Sequence, residues 1–227
     1  MANCLMCNRP QRQGISLWDM VNFQPFSPII VCDRCQSAFT AIEKNKACPG
    51  CSRLQKDDQF CEDCQKWRLS YPEEFIQHQS CYLYNEALKD WLHNYKIKGD
   101  SRLALVFKAK LTEIYQDYSD YVVVPLPISE KSYIARGFNQ SELLLEAAKI
   151  PYQSLLNNHY EGDKQSQKNR QQRLQSEQPF SCTRSVEGIR KVLLFDDIYT
   201  TGRTLLHAKA ILYQAGVEKI ESLTIAR

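Results

Sequence analysis

Towards the carboxyl end of the chain, Lys191-Val192-Leu193-Leu194-Phe195 runs into Asp196-Asp197-Ile198-Tyr199 and then Thr200-Thr201-Gly202-Arg203-Thr204. No other stretch restricts the fold as tightly. Residues 192–195 form an unbroken apolar run of the kind buried on both faces of a parallel sheet. Two adjacent acids then close the strand, at the carboxyl end where open α/β sheets bind ligands. Thr200, Thr201 and Gly202 supply hydroxyls and a permissive backbone, and a helix from Thr204 onward offers free N–H groups in its first turn. Hydroxyls and a helix N-terminus suit a phosphate monoester. The carboxylates call for something bearing hydroxyls or a cation. A sugar phosphate meets both demands.

This stretch closely resembles the binding loop of the type I phosphoribosyltransferases, which bind phosphoribosyl pyrophosphate (PRPP). The resemblance implies that Asp196 and Asp197, the catalytic acids, hold the ribose hydroxyls of PRPP, and that Mg²⁺ and PRPP bind at this pair. It implies that Thr200, Thr201, Gly202, Arg203 and Thr204 wrap the 5′-phosphate. The match runs over some thirteen consecutive positions and includes the unusual acid pair.

The amino-terminal region has a different character. Of ten cysteines in 227 residues, eight fall in Cys-x-x-Cys pairs: Cys4/Cys7, Cys32/Cys35, Cys48/Cys51 and Cys61/Cys64. Each pair puts two sulfurs on one tight turn, and two turns complete a tetrahedral zinc site. We pair Cys4, Cys7, Cys32 and Cys35 as one site and Cys48, Cys51, Cys61 and Cys64 as the other. Spacing alone leaves a crossed pairing, or one zinc instead of two, open. Four ligands leave no open coordination position, so such sites are structural. Residues 1–70 are therefore read as a small zinc-ribbon-like domain in which metal replaces a missing core. Cys81 and Cys182 stand apart. Within the region, residues 15–26 are unusually apolar and are expected to pack on the second domain or dock a partner.

The formal charge is +3, but eight thiolates on two Zn²⁺ ions would bring it to about −1. Any nucleic-acid binding must then come from local patches. No apolar run approaches a membrane span, and Met1-Ala2-Asn3-Cys4 lacks a signal-peptide layout. A cytoplasmic protein with reduced cysteines is expected.

Residues 71–227 are read as the second domain, after a linker around 67–79. Leu88, Trp91, Leu92 and Tyr95 mark one face of a helix ending at Gly99. Lys89, His93, Lys96 and Lys98 decorate the rest, either as a solvated face or as a track for a single strand of nucleic acid. Residues 103–118 read as a second helix. Residues 121–124 are a central strand ended by Pro125 and Pro127. Arg136 precedes Gly137 and a helix starting near Asn139, a good position for an anion. A helix over 205–214 stopped by Gly216 and a strand over 220–225 complete the chain.

The Cys-x-x-Cys knuckles, Tyr95-Lys96-Ile97-Lys98-Gly99-Asp100, Val124-Pro125-Leu126-Pro127, Arg136-Gly137-Phe138-Asn139-Gln140 and the acid-pair loop occur in this order in the ComF family of late competence proteins, which this chain resembles over nearly its whole length. The resemblance implies an α/β fold: a type I phosphoribosyltransferase-like parallel sheet with helices, preceded by the zinc region. In that fold the loop near residues 126–129 meets pyrophosphate, and residues 163–180 correspond to a mobile loop over the site. This chain keeps Gln165 or Gln167, Arg170 and Arg173 of the family's pattern there, but has Gln178-Pro179 in place of a glycine. Family membership implies a role in DNA uptake during natural transformation, handling single-stranded DNA with the helicase-like ATPase ComFA. The alternative is an active phosphoribosyltransferase using an unidentified acceptor. No acceptor pocket or general base is legible.

Overall fold

The computed structural model describes residues 2–11, 30–70, 72, 75–159 and 178–227. The apolar stretch 15–26 and most of the loop 163–180 lie outside these residues. In chain order the strands are β1 (Ala2–Asn3), β2 (Pro10–Gln11), β3 (Gln77–Tyr82), β4 (Val122–Pro125), β5 (Leu156–Asn158), β6 (Phe180–Cys182), β7 (Lys191–Ile198) and β8 (Lys219–Ala226). The α-helices are α1 (Asp33–Gln36), α2 (Glu62–Ser70), α3 (Glu86–Leu92), α4 (Lys108–Tyr115), α5 (Glu130–Arg136), α6 (Gln140–Ala148) and α7 (Arg203–Gln214).

The centre is a four-stranded sheet in the order β3-β8-β7-β4, parallel throughout. Side chains alternate across β7 as the pleat requires. Leu193 and Phe195 face one core cluster, with Trp91, Tyr95, Phe107, Leu111 and Leu144. Val192 and Leu194 face the other, with Leu205, Leu206, Ala208 and Leu212 of α7. Both faces are covered, which explains the unbroken apolar run. Each of the fully buried rings of Trp91, Tyr95 and Phe107 contributes on the order of 2–3 kcal/mol of burial.

Local signals set the helix ends. Asn85 Oδ1 accepts the Leu88 N–H at 3.1 Å, Ser129 Oγ the Ser132 N–H at 3.3 Å, and Asn139 Oδ1 the Ser141 N–H at 2.9 Å, each a side-chain cap. Gly137 ends α5 with φ +80°, a conformation glycine adopts freely.

Three segments differ from the sequence reading. The linker expected over 67–79 takes in the last turn of α2 and the first residues of β3, an edge strand of the central sheet. The helix expected over 103–118 is α4 flanked by 3₁₀ turns, Ser101–Phe107 before it and Gln116–Tyr118 after. The helix expected to run to Gly99 is regular only through α3, then widens into a π turn, His93–Ile97.

Candidate functional site

The site is assembled where β7 outruns β4. Pro125, at the end of β4, pairs with Phe195, so Asp196 and Asp197 project past that strand beside the loop that begins at Leu126. The Leu126 N–H bonds the Phe195 carbonyl at 2.9 Å, and Asn139 Nδ2 donates to the Leu126 carbonyl at 3.1 Å. The strand end, this loop and the start of α6 are thus tied together. Ser141 on α6 donates its Oγ–H to Asp196 Oδ1 at 3.0 Å, and the Asp197 N–H reaches the same oxygen at 2.9 Å.

The two acids differ. Asp196 is half-buried, and burial together with the negative charge of Asp197 pushes its carboxyl up to about 8, which favours its protonated form. Asp197 is only 2% exposed, and Lys96 Nζ lies 2.5 Å from its Oδ2. The contact is ionic and out of line for a hydrogen bond, since that buried oxygen receives no aligned donor. Lys96 is therefore no part of a solvated face. The π turn carries it inward, next to Tyr95, whose ring stacks on Trp91 at 4.8 Å and whose hydroxyl donates to the Gln140 carbonyl at 2.8 Å. A regular helical wheel cannot reveal such a turn.

Beyond the acids, Thr200 is exposed, Thr201, Arg203 and Thr204 are half-buried, and Gly202 is buried. Gly202 precedes α7 with φ +75° and makes no side-chain cap; the Arg203 N–H reaches Thr201 Oγ1 at 3.5 Å, and the next N–H groups of the first turn are available to a ligand. Any Cβ at this position would also collide with the phenol of Tyr199. Arg203 Nε donates to His207 Nε2 at 3.0 Å. Arg136, at the end of α5, donates to Gln140 Oε1 at 2.8 Å, one residue from Ser141. The threonines, the helix start and the acid pair thus occupy one end of the sheet. The sequence reading gave Ser141 and Tyr199 no role at the site and saw Tyr95 only as part of an apolar helix face. Only the capping motif at Asn139 gave any hint of Ser141.

Two further groups could hold a metal ion. The sulfurs of Cys4, Cys7, Cys32 and Cys35 lie within 4.8 Å of one another, as do those of Cys48, Cys51, Cys61 and Cys64. Sulfur–sulfur separations of 3.8 Å for Cys7/Cys32 and 3.6 Å for Cys51/Cys61 match the edge of a Zn–S₄ tetrahedron, about 3.8 Å for bonds of about 2.3 Å. Backbone N–H groups point at the sulfurs, Cys32 N to Cys4 Sγ at 3.4 Å and Cys61 N to Cys48 Sγ at 3.2 Å. Burial raises the Cys4 thiol, but amides of Cys32, Cys7 and Met6 outweigh it and bring it to about 6. Cys51 falls to about 5, chiefly through its bond with Cys64 and despite burial. Cys35 and Cys64 are pushed up in turn. Four sulfurs this close cannot all ionise without a cation, and Zn²⁺ bound to thiolates fits both sets.

Residues 92–227 match the phosphoribosyl transferase domain family. The chain is 34% identical over 224 residues to competence protein ComFC of Streptococcus pneumoniae, with 99% of each chain covered. The chain belongs to the ComFC family. Competence protein ComFC of Bacillus subtilis is 33% identical over 234 residues, covering 99% of this chain and 94% of that one. Competence protein F of Haemophilus influenzae is 27% identical over 240 residues, covering 92% and 100%. ComFC membership agrees with a type I phosphoribosyltransferase domain built on a parallel sheet and preceded by cysteine clusters able to hold zinc. No helix among the described residues is long and apolar enough to cross a membrane.

Proposed function

We propose that this ComFC family member is a cytoplasmic late competence protein that acts in DNA uptake and carries a site for PRPP or ribose 5-phosphate. The observation that carries the reading is the union, at one end of β7, of the acid pair, the Thr200-Thr201-Gly202 loop and the uncapped start of α7. In this reading the hydroxyls of Thr200, Thr201 and Thr204 and the first N–H groups of α7 hold the 5′-phosphate, with Arg203 adding charge. Asp196 and Asp197 take the ribose hydroxyls, and residues 126–129 and Arg136 face the pyrophosphate end. Mg²⁺ accompanying PRPP would supply charge neutralisation at that end. The zinc region and the exposed lysines, Lys98 among them, serve single-stranded DNA and the ComFA ATPase.

The test is calorimetric titration of the zinc-loaded chain with PRPP and Mg²⁺, alongside Asp196→Asn/Thr201→Val. We expect binding by the wild type that weakens at least about 100-fold in the variant, the weight of two polar contacts. A folded wild type that ignores PRPP, or a variant that binds as well, sinks the ligand assignment. Affinity for an oligothymidylate that fades steeply with salt supports the DNA role, and salt-independent or absent binding counts against it.

A further inference from the structure

The acid pair already has its cation. Among the described ion pairs, Lys96–Asp197 alone has both side chains largely withdrawn from solvent, 19% and 3% exposed; in each of the others one partner is at least 43% exposed. The lysine is held there by architecture. The π turn ends where the Lys98 N–H bonds the His93 carbonyl at 3.2 Å and the Asp100 N–H the Asn94 carbonyl at 3.2 Å, and Gly99 turns the chain with φ +70°. Tyr95 anchors the same turn to α6. Single π turns in α-helices recur at functional sites because the extra residue redirects a side chain. Here the side chain redirected is an ammonium, delivered to the carboxyl end of β7.

This arrangement does not suit a divalent ion bound directly by the two acids. An ion bound at Asp197 Oδ2 would have to displace Lys96 from a buried oxygen, leaving an ammonium with no partner in a site of low polarity. The remaining acid, Asp196, has one oxygen occupied by the Ser141 hydroxyl and the Asp197 N–H. The pair is instead suited to accept hydrogen bonds from neutral hydroxyls.

We infer that Lys96 is the built-in counter-ion of the acid pair, so that this site takes the ribose of a pentose 5-monophosphate with no divalent cation coordinated by Asp196 or Asp197. The inference rests on the sugar-phosphate reading of the site and narrows it. The need for Mg²⁺ belongs to the pyrophosphate of a ligand, and a ligand without pyrophosphate has none. Lys96 is a positioning residue in this account. It holds the Asp197 carboxylate in place, which in turn meets the sugar.

The experiment titrates ribose 5-phosphate into the zinc-loaded full chain in magnesium-free buffer and again with Mg²⁺, for the wild type, Lys96→Met and Lys96→Arg. Equal affinities in the two buffers are expected for the wild type. Lys96→Met should weaken binding about tenfold or more without Mg²⁺, the scale of one charge-assisted contact, and recover part of it with Mg²⁺. Lys96→Arg should retain the magnesium-free affinity. Wild-type binding of ribose 5-phosphate that requires Mg²⁺ overturns the inference with no variant needed. A Lys96→Met protein that behaves as wild type overturns it too. If ribose 5-phosphate binds under no condition, the sugar-phosphate reading itself fails, and Mn²⁺ titration followed by electron paramagnetic resonance still decides the role of Lys96. A Mn²⁺ site that appears in Lys96→Met, is absent from the wild type and is abolished by adding Asp196→Asn supports the inference. Identical Mn²⁺ titrations of wild type and Lys96→Met, or of wild type and Lys96→Gln should the methionine variant not fold, overturn it.

Discussion

The two cysteine clusters begin from the same local geometry and end in different places. In the first knuckle of each cluster the residue after the second cysteine is left-handed, Asn8 at φ +57° and Ser52 at φ +59°. The first cysteine's N–H closes on the carbonyl five residues on, Cys4 to Arg9 at 2.9 Å and Cys48 to Arg53 at 2.7 Å. Beyond the knuckle the likeness stops. Around Cys4, Cys7, Cys32 and Cys35 the backbone bonds stay local, as from Leu5 N–H to the Ile30 carbonyl at 3.0 Å, and Cys7 is exposed. Leu5, Met6 and Val31 lean on the main core without entering it. Around Cys48, Cys51, Cys61 and Cys64 the knuckle is bolted to the sheet. The Gly50 carbonyl accepts the His78 N–H of β3 at 3.1 Å. Ser52 Oγ donates to the His78 carbonyl at 3.1 Å and accepts the Ser80 N–H at 3.0 Å. Arg227 Nη1 donates to the Cys51 carbonyl at 2.5 Å. One motif thus serves as a peripheral clip in one place and as a foundation of the sheet edge in the other.

Removing ligands should separate the two most clearly. Cys51→Ser is expected to forfeit much of the about 10–16 kcal/mol that a structural zinc site contributes and to cost the whole chain its cooperative unfolding. Cys7→Ser should release metal while the sheet stays folded. Zinc content together with hydrogen exchange on β7 and β8 checks both, and equal loss of sheet protection in the two variants would break the comparison.

A gentler pair of changes probes the left-handed residues. Asn8→Gly should be nearly neutral, within about 0.5 kcal/mol, because glycine takes this conformation without strain. Ser52→Gly gains the same backbone ease but leaves the buried Ser80 N–H unpaired, a net loss of about 1–2 kcal/mol. Denaturant titration of both would show whether the second knuckle's bonds to β3 carry weight.

The smallest effect concerns acid. His78 is fully buried, with Nδ1 2.9 Å from Ser222 Oγ and Nε2 2.7 Å from Ser80 Oγ. Burial first, and the charge of Arg227 second, hold its pKa well below 6.5. The folded chain keeps it neutral while the unfolded chain takes up a proton below about 6.5, so stability falls as pH drops through that range. His78→Asn should be less stable overall yet show a shallower fall between about pH 6.5 and 5, by up to about 1 kcal/mol. Parallel curves for wild type and variant would place the acid sensitivity in groups other than His78.

The sequence shows the knuckles and the loop after β7 readily, because their chemistry is written in adjacent residues. β3 is a different case. Gln77-His78-Gln79-Ser80 has the polarity of a linker, and its burial makes sense only once Ser222 and Thr224 of β8 stand opposite, Ser80 Oγ meeting Thr224 Oγ1 at 2.8 Å. Partners 144 residues away cannot be read from a local window. Lys96 was hidden for another reason. Helical periodicity places it outside, and only the π turn, a departure from that periodicity, brings it to Asp197.

The pairing of β3 with β8 also bears on how the chain is made. Gln77 meets Glu221 across the sheet, so the edge strand on which the second knuckle rests lacks its parallel partner until residues beyond 220 have left the ribosome. Contacts closing so long a loop form slowly. During synthesis the thiolates of Cys48, Cys51, Cys61 and Cys64 therefore emerge well before their footing exists. Metal captured at that stage would hold the early segment in shape while it waits for the strand that completes it.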